Sequence, residues 1–177
     1  MLQVPAVGEY APYYEPYIRL VSDGNLLERL EVQRKQTKEL FEHLTEKQAT
    51  FRYSPNKWSM KEVLGHITDT ERYLSYRLFC IARGETKPLP GHDENLFVET
   101  ANFNNQSMEQ LLNNFLSVRQ ATLQLIKTLQ PTDWLKLGNA NGYRVTVRAQ
   151  AYIIAGHEMH HQNIIKERYL SAANFPK

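Results

Sequence analysis

One short signature occurs twice in this chain and limits what it can fold into: Ser59-Met60-Lys61-Glu62 and Ser107-Met108-Glu109-Gln110. In each, a serine is followed three residues later by an acid or amide. This reciprocal pair satisfies exposed amides at a helix start. Behind the first box, Val63, Leu64, Ile67, Leu74, Leu78 and Ile81 recur at helical spacing. They predict a helix from 60 to about 83, stopped by Gly84. The second box opens a helix to about 129, closed by Pro131. Upstream, Asp23 can cap a helix running to about 48, with Leu26, Leu27, Leu30, Leu40, Phe41 and Leu44 on its apolar face. Downstream of a turn at Asn139–Tyr143, Thr146 caps a last helix over roughly 147–171. Residues 84–105 hold two prolines and two glycines and read as a long connection, with one short helical turn near 94–101. No strand-like alternation is evident. The expectation is an all-α, four-helix bundle with a long crossover connection, one domain over 1–177. Residues 1–22 hold four of the ten tyrosines and three of the eight prolines, which predicts an extended aromatic arm packed on its own domain or on a partner subunit.

Composition excludes several classes. The 21 basic residues are dispersed among 19 acidic ones. No basic run of five exists, so neither a nucleic-acid stripe nor a membrane-binding patch is expected. Cys80 stands alone and cannot form an intramolecular disulfide. The N-terminal stretch lacks a charged region followed by an apolar run, so a signal peptide is not expected and the cytoplasm is the default location.

The last helix carries Gly156-His157-Glu158-Met159-His160-His161. At about 100° per residue, His161 falls about 40° from His157, one turn along, and His160 about 60° to the other side. Ile153 and Ile164 or Ile165 continue that face, so it should point inward. Buried imidazoles need both ring nitrogens satisfied, and an i, i+4 histidine pair is a common way to hold a metal ion. On the helix after the first capping box, His66 sits between Leu64 and Ile67, again beside the apolar stripe. His43 lies among charges and His92 in the connection. His66, His157 and His161 are therefore the expected ligands, three donors that leave positions open on the ion.

The letters also spell H-E-x-x-H, with Glu158 as the would-be base of a metalloprotease. The extended form of that motif needs glycine at 164 and histidine at 167, where this chain has Ile164 and Glu167. The helix continues, and Glu167 lands about 240° from His161. With no sheet to hold an extended peptide, a protease is not expected.

Two segments resemble the DinB/YfiT-like superfamily. One is KWSMKEVLGHITDTERYL, residues 57–74, where a tryptophan and a capped helix start precede a histidine. The other is GHEMHHQNI, residues 156–164, similar to that family's H-x-x-H-H helix. The resemblance spans roughly residues 25–171. It implies a four-helix bundle with a crossover, commonly a homodimer, holding a divalent metal ion on three histidines. Mapped here, those are His66, His157 and His161. Nickel or zinc is the implied occupant, ahead of manganese or iron. Members with known activity are thiol-dependent S-transferases, which implies a small-molecule substrate and a low-molecular-weight thiol as partner. Where the family often continues with Arg-Gly-Gln, this chain has Gln162-Asn163-Ile164.

An ion on three neutral imidazoles keeps its double charge and lowers the pKa of a water or thiol. Transfer and hydrolysis are both open to such a site, and no catalytic side chain is assigned. Asp69 is a candidate to orient the His66 ring. Tyr73 and Arg77 continue the His66 face and could meet an anionic substrate, with ordinary packing as the alternative. Glu158 is a candidate base, with an exposed or inter-helix salt bridge as the alternative, and His160 a spare ligand or a group that supports one. Cys80 reads as a small core residue. The competing classes are a metal-binding bundle without turnover and a helical dimerisation module whose histidines are structural.

Overall fold

A computed structural model gives the fold, describing residues 2–21 and 24–177. A 3₁₀ turn at Pro12–Tyr14 runs into α1 (Glu15–Leu20), followed by α2 (Leu26–Phe41), α3 (Glu46–Ala49), α4 (Met60–Ala82), α5 (Glu94–Ala101) and α6 (Met108–Lys127). A hairpin of β1 (Leu137–Ala140) and β2 (Tyr143–Thr146) leads into α7 (Val147–Ile164), which continues as a π-helical turn over Ile165–Tyr169. The long helices α2, α4, α6 and α7 form the four-helix bundle: α4 packs on both α6 and α7, and α2 closes the other side against the same two. Both expected capping boxes are present, Ser59 with Glu62 and Ser107 with Gln110. The crossover from α4 to α6 contains α5 where one helical turn is expected. Among the described residues, no helix is long and apolar enough to cross a membrane.

Three elements differ from the sequence reading. The first long helix is broken, because Thr45 and Gln48 form a capping box of their own and start α3 afresh. Asp23, its expected cap, lies outside the described residues. The Asn25 side chain accepts from the amides of Leu27 and Glu28 and does the capping. The expected extended arm is helical over Pro12–Tyr14 and Glu15–Leu20. Pro12 and Pro16 stand at the first and second positions of those pieces, where a missing N–H is harmless. The turn at Asn139–Tyr143 joins two paired strands. Asn141 and Gly142 take φ of 53° and 81°, the mirror-image turn whose twist suits a two-residue hairpin.

The interior is layered along the bundle axis. Leu30, Leu74, Leu78, Leu123, Ile126 and Ile153 belong to one apolar block. Phe41, Leu64, Ile67, Leu111, Phe115 and Ile165 belong to a second. Each long helix contributes to both blocks and crosses between them through buried polar residues: Gln33 and Thr37 on α2, His66 and Glu71 on α4, Arg119 on α6, and His157, Glu158 and His161 on α7.

The N-terminal segment is strapped onto α7. Glu9 accepts from Thr146 Oγ1 at 2.8 Å and Arg148 Nε at 2.6 Å, and Tyr152 donates to the Leu2 carbonyl at 3.0 Å. Further along, α1 crosses α7 so closely that a Cβ on Gly156 would stand 2.1 Å from the Tyr17 carbonyl oxygen. Backbone cannot yield there as a flexible side chain could. Gly156→Ala is therefore expected to destabilise the protein by about 1–3 kcal/mol through forced displacement of α1, measured by urea denaturation. An unchanged midpoint would show that α1 is not held at this crossing.

The Arg148 side chain holds the Glu9 carboxyl down at about 2. A carboxyl lowered by folding stabilises the folded state at pH above its unfolded value and loses that contribution as pH falls through its folded value. The strap is therefore expected to be intact above about pH 4.5 and to weaken steadily towards pH 2. Limited proteolysis of the N-terminal segment across that range checks this. Arg148→Ala should be cleaved as readily at neutral pH as the wild type is in acid.

Candidate metal centre

His66 reaches the centre from the second turn of α4, whose start is fixed by the Ser59 box. His157 and His161 come from consecutive turns of α7. Their Nε2 atoms converge. His66 and His157 are 3.0 Å apart, and His157 and His161 3.1 Å. One ligating atom from each residue fits within 4.8 Å of the other two. All three residues are buried, each under a tenth exposed.

Hydrogen bonding alone does not account for this convergence. A ring nitrogen has one in-plane position, either a proton or a lone pair. Nε2 of His157 can satisfy one neighbour but faces two. Burial pushes all three imidazoles towards the neutral form, His66 to about 4 and the two α7 histidines well below their ordinary value. Neutral imidazole is the metal-binding form. Donors about 2.0–2.1 Å from a shared ion stand roughly 3 Å from each other, which is the spacing of His157 from each of the other two. The donor set thus fits a divalent ion.

The surroundings hold the rings in place. Thr70 Oγ1 lies 3.4 Å from Nδ1 of His66, one turn along α4, in the role expected of Asp69. Asp69 instead pairs with Arg72 at 2.9 Å and leaves the His66 ring alone. Trp58 packs on His66 with ring centroids 4.6 Å apart, and Tyr17 meets His157 and His160 edge-on at 5.5 and 5.3 Å. His160 is half-buried beside His161 and stands outside the three-nitrogen cluster. A cavity of about 470 Å³ opens onto the cluster and continues past Tyr14, Leu74 and Arg77 to His92. The Tyr73 hydroxyl shares its one proton between the carbonyls of Pro90 and Gly91.

Glu158 is turned away from this cavity. It is 1% exposed, accepts from Thr37 Oγ1 at 2.6 Å, and lies 2.6 Å from Arg119 Nη2. Arg119 also binds Glu71 through two parallel hydrogen bonds of 2.8 and 2.6 Å and donates to the Leu30 carbonyl at 3.1 Å. Burial raises the Glu158 carboxyl although Arg119 opposes the shift. The inter-helix ion pair is therefore the correct alternative for Glu158, and the H-E-x-x-H letters carry no base at the cluster. The sequence reading passed over Tyr17, Thr70, Glu71 and Arg119. A signal existed for the last two: Glu71 interrupts the stripe Ile67, Leu74, Leu78, and Arg119 the stripe Phe115, Thr122, Ile126. A charge on an apolar stripe implies a buried partner.

Arg119→Met would leave two buried carboxylates without their cation. Uncompensated buried charge of this kind costs about 3–5 kcal/mol, and urea denaturation at neutral pH should show a loss of that size. A loss below about 1 kcal/mol would mean that the cluster is solvated and mechanically unimportant.

The sequence model of the DinB superfamily matches residues 29–165. No curated protein matches the sequence. Among solved structures, YfiT from Bacillus subtilis is described as a probable metal-dependent hydrolase with an unusual four-helix bundle topology. It is similar to this chain with a TM-score of 0.74 and 19% identity, covering 91% of this chain and 92% of YfiT. At that identity the likeness establishes the fold.

Proposed function

This chain belongs to the DinB superfamily, and from that premise we propose that it is a metal-dependent enzyme acting on a small molecule. In this reading His66, His157 and His161 hold one divalent ion, and the adjoining cavity takes the substrate. The observation that carries it is the convergence of three buried, neutral imidazole nitrogens that hydrogen bonds among themselves cannot satisfy. When bound, the ion would supply Lewis acidity, making a water or a small thiol nucleophilic near neutral pH. Nickel and zinc suit an all-imidazole set. Hydrolysis is the first reaction to test, because the structurally similar YfiT is described as a metal-dependent hydrolase. Thiol transfer is the second, on the family resemblance.

The chain's own residues supply the rest. Thr70 orients the His66 ring, and Trp58 and Tyr17 wall the cluster against bulk water. With Glu158 committed to Arg119, the titratable group beside the cluster is His160. Burial lowers its pKa, so it is neutral and able to take a proton from a nucleophile arriving from the cavity.

The protein purified without chelator is expected to carry about one nickel or zinc ion per chain by elemental analysis. His66→Ala and His157→Ala should each lose it, since the site spans two helices. Because Trp58 stacks on His66, nickel added to the metal-free protein should quench tryptophan fluorescence with one-to-one stoichiometry. A wild type that neither carries nor accepts nickel, zinc or manganese would sink the enzyme reading.

A further inference from the structure

Among the described residues two arginines are buried, Arg77 and Arg119, and Arg148 is partly buried; the last two are neutralised. Arg119 is held by Glu71 and Glu158, and Arg148 by Glu9. Arg77 is not. It is 2% exposed, yet among the described residues no carboxylate lies within ion-pair distance of it. Its contacts are all uncharged: the Pro90 carbonyl, the hydroxyl of Tyr14, and the face of the Tyr73 ring 4.6 Å away. Its Nε is buried without any hydrogen-bond partner. A buried guanidinium normally has a counter-ion, because removing it from water is costly. This one lines the cavity that the histidine cluster opens onto.

Arg77 and His66 share a face of α4. Eleven residues separate them, about 16 Å of helix rise. Between them the cavity is walled by Tyr14, Tyr17, Leu74 and Ile153. His92 stands at the same end as Arg77, stacked on Tyr73 at 4.3 Å. The cavity's one acidic lining residue, Glu94, is exposed. The site therefore has a cationic anchor at one end, an aromatic and aliphatic waist, and the histidine cluster at the other.

We propose that Arg77 is the receptor for an oxyanion on the substrate, so that the site selects small molecules carrying a carboxylate or phosphate at the end remote from the histidine cluster. The proposal rests on the reading of the cavity as a substrate site. It adds a specificity-determining residue and a substrate class to that reading. The substrate anion supplies the counter-ion that the fold withholds. The planar fork of the guanidinium matches carboxylate or phosphate oxygens. The aromatic waist suits an apolar body joined to that anion. Arg77 also ties the Pro90-Gly91 segment to α4, which places anion binding and closure of the cavity wall on one side chain.

The test uses the full chain, metal-free and zinc-loaded. It is titrated by calorimetry with phenylacetate, phenyl phosphate and, as the neutral counterpart, phenylethanol. At least one anion should bind ten-fold or more tightly than phenylethanol, already in the metal-free protein, where direct ligation of an ion cannot contribute. Which anion wins assigns carboxylate or phosphate. Arg77→Gln should weaken the anions at least ten-fold and leave phenylethanol unchanged. Arg77→Lys, which keeps the charge without the fork, should be intermediate and serves as the test if the glutamine variant does not fold. His66→Ala should keep anion binding while losing metal, so failure of the metal reading is seen separately from failure of this one. Equal binding of anions and phenylethanol to the wild type would overturn the proposal. So would a parallel loss of all three probes in both Arg77 variants, the result expected of a purely structural tether.

Discussion

The buried contact of Arg119 with Glu71 and Glu158 is the constraint on which the rest of this structure depends. One guanidinium on α6 bonds a carboxylate on α4, a carboxylate on α7 and a carbonyl on α2, so a single side chain reaches all four long helices. Apolar packing alone lets helices slide by a turn at modest cost. A desolvated ion cluster does not, since any shift leaves a charge uncompensated in the interior. It therefore fixes the axial register of α4 against α7.

That register is what the histidines need. Glu158 is the residue next to His157, and Glu71 lies five residues after His66, so the charge cluster and the three-nitrogen cluster are held by the same stretches of α4 and α7 on different sides. Two faces of α7 perform two tasks: one carries imidazoles to the cavity, and the other carries Glu158 and Gln162 into the bundle, where both meet Thr37 of α2. The two apolar blocks above and below clamp this polar layer in place. The close crossing of α1 at Gly156 then sets Tyr17 over the histidines and completes the wall.

The same arrangement explains why H-E-x-x-H here is not the motif it spells. In a zinc protease the glutamate faces the ion's open side. Here it is claimed by a cation on the opposite side of the helix, and the cavity retains histidines and Arg77 as its charged or chargeable side chains, with Glu94 exposed. A cavity of about 470 Å³ is sized for a small molecule rather than an extended peptide.

Local chemistry was legible in the sequence. The capping boxes at Ser59 and Ser107, the helical spacing behind them, the short helix within residues 84–105 and the i, i+4 pairing of His157 with His161 all depend on neighbours within a turn or two. They determined the four-helix class and nominated His66, His157 and His161. The convergence of their ring nitrogens within 4.8 Å was decided by the tertiary structure, as were the roles of Glu158, Thr70, Arg77 and Tyr17. Those roles depend on which face of a helix meets which neighbour across tens of residues. Glu158 and Asp69 read alike as carboxylates near a histidine, yet one is buried against Arg119 and the other sits at the surface with Arg72. The physical reason is that a helix's periodicity fixes angles around its own axis, while the partner on each face is fixed only when ion pairing and core packing set the helices against one another.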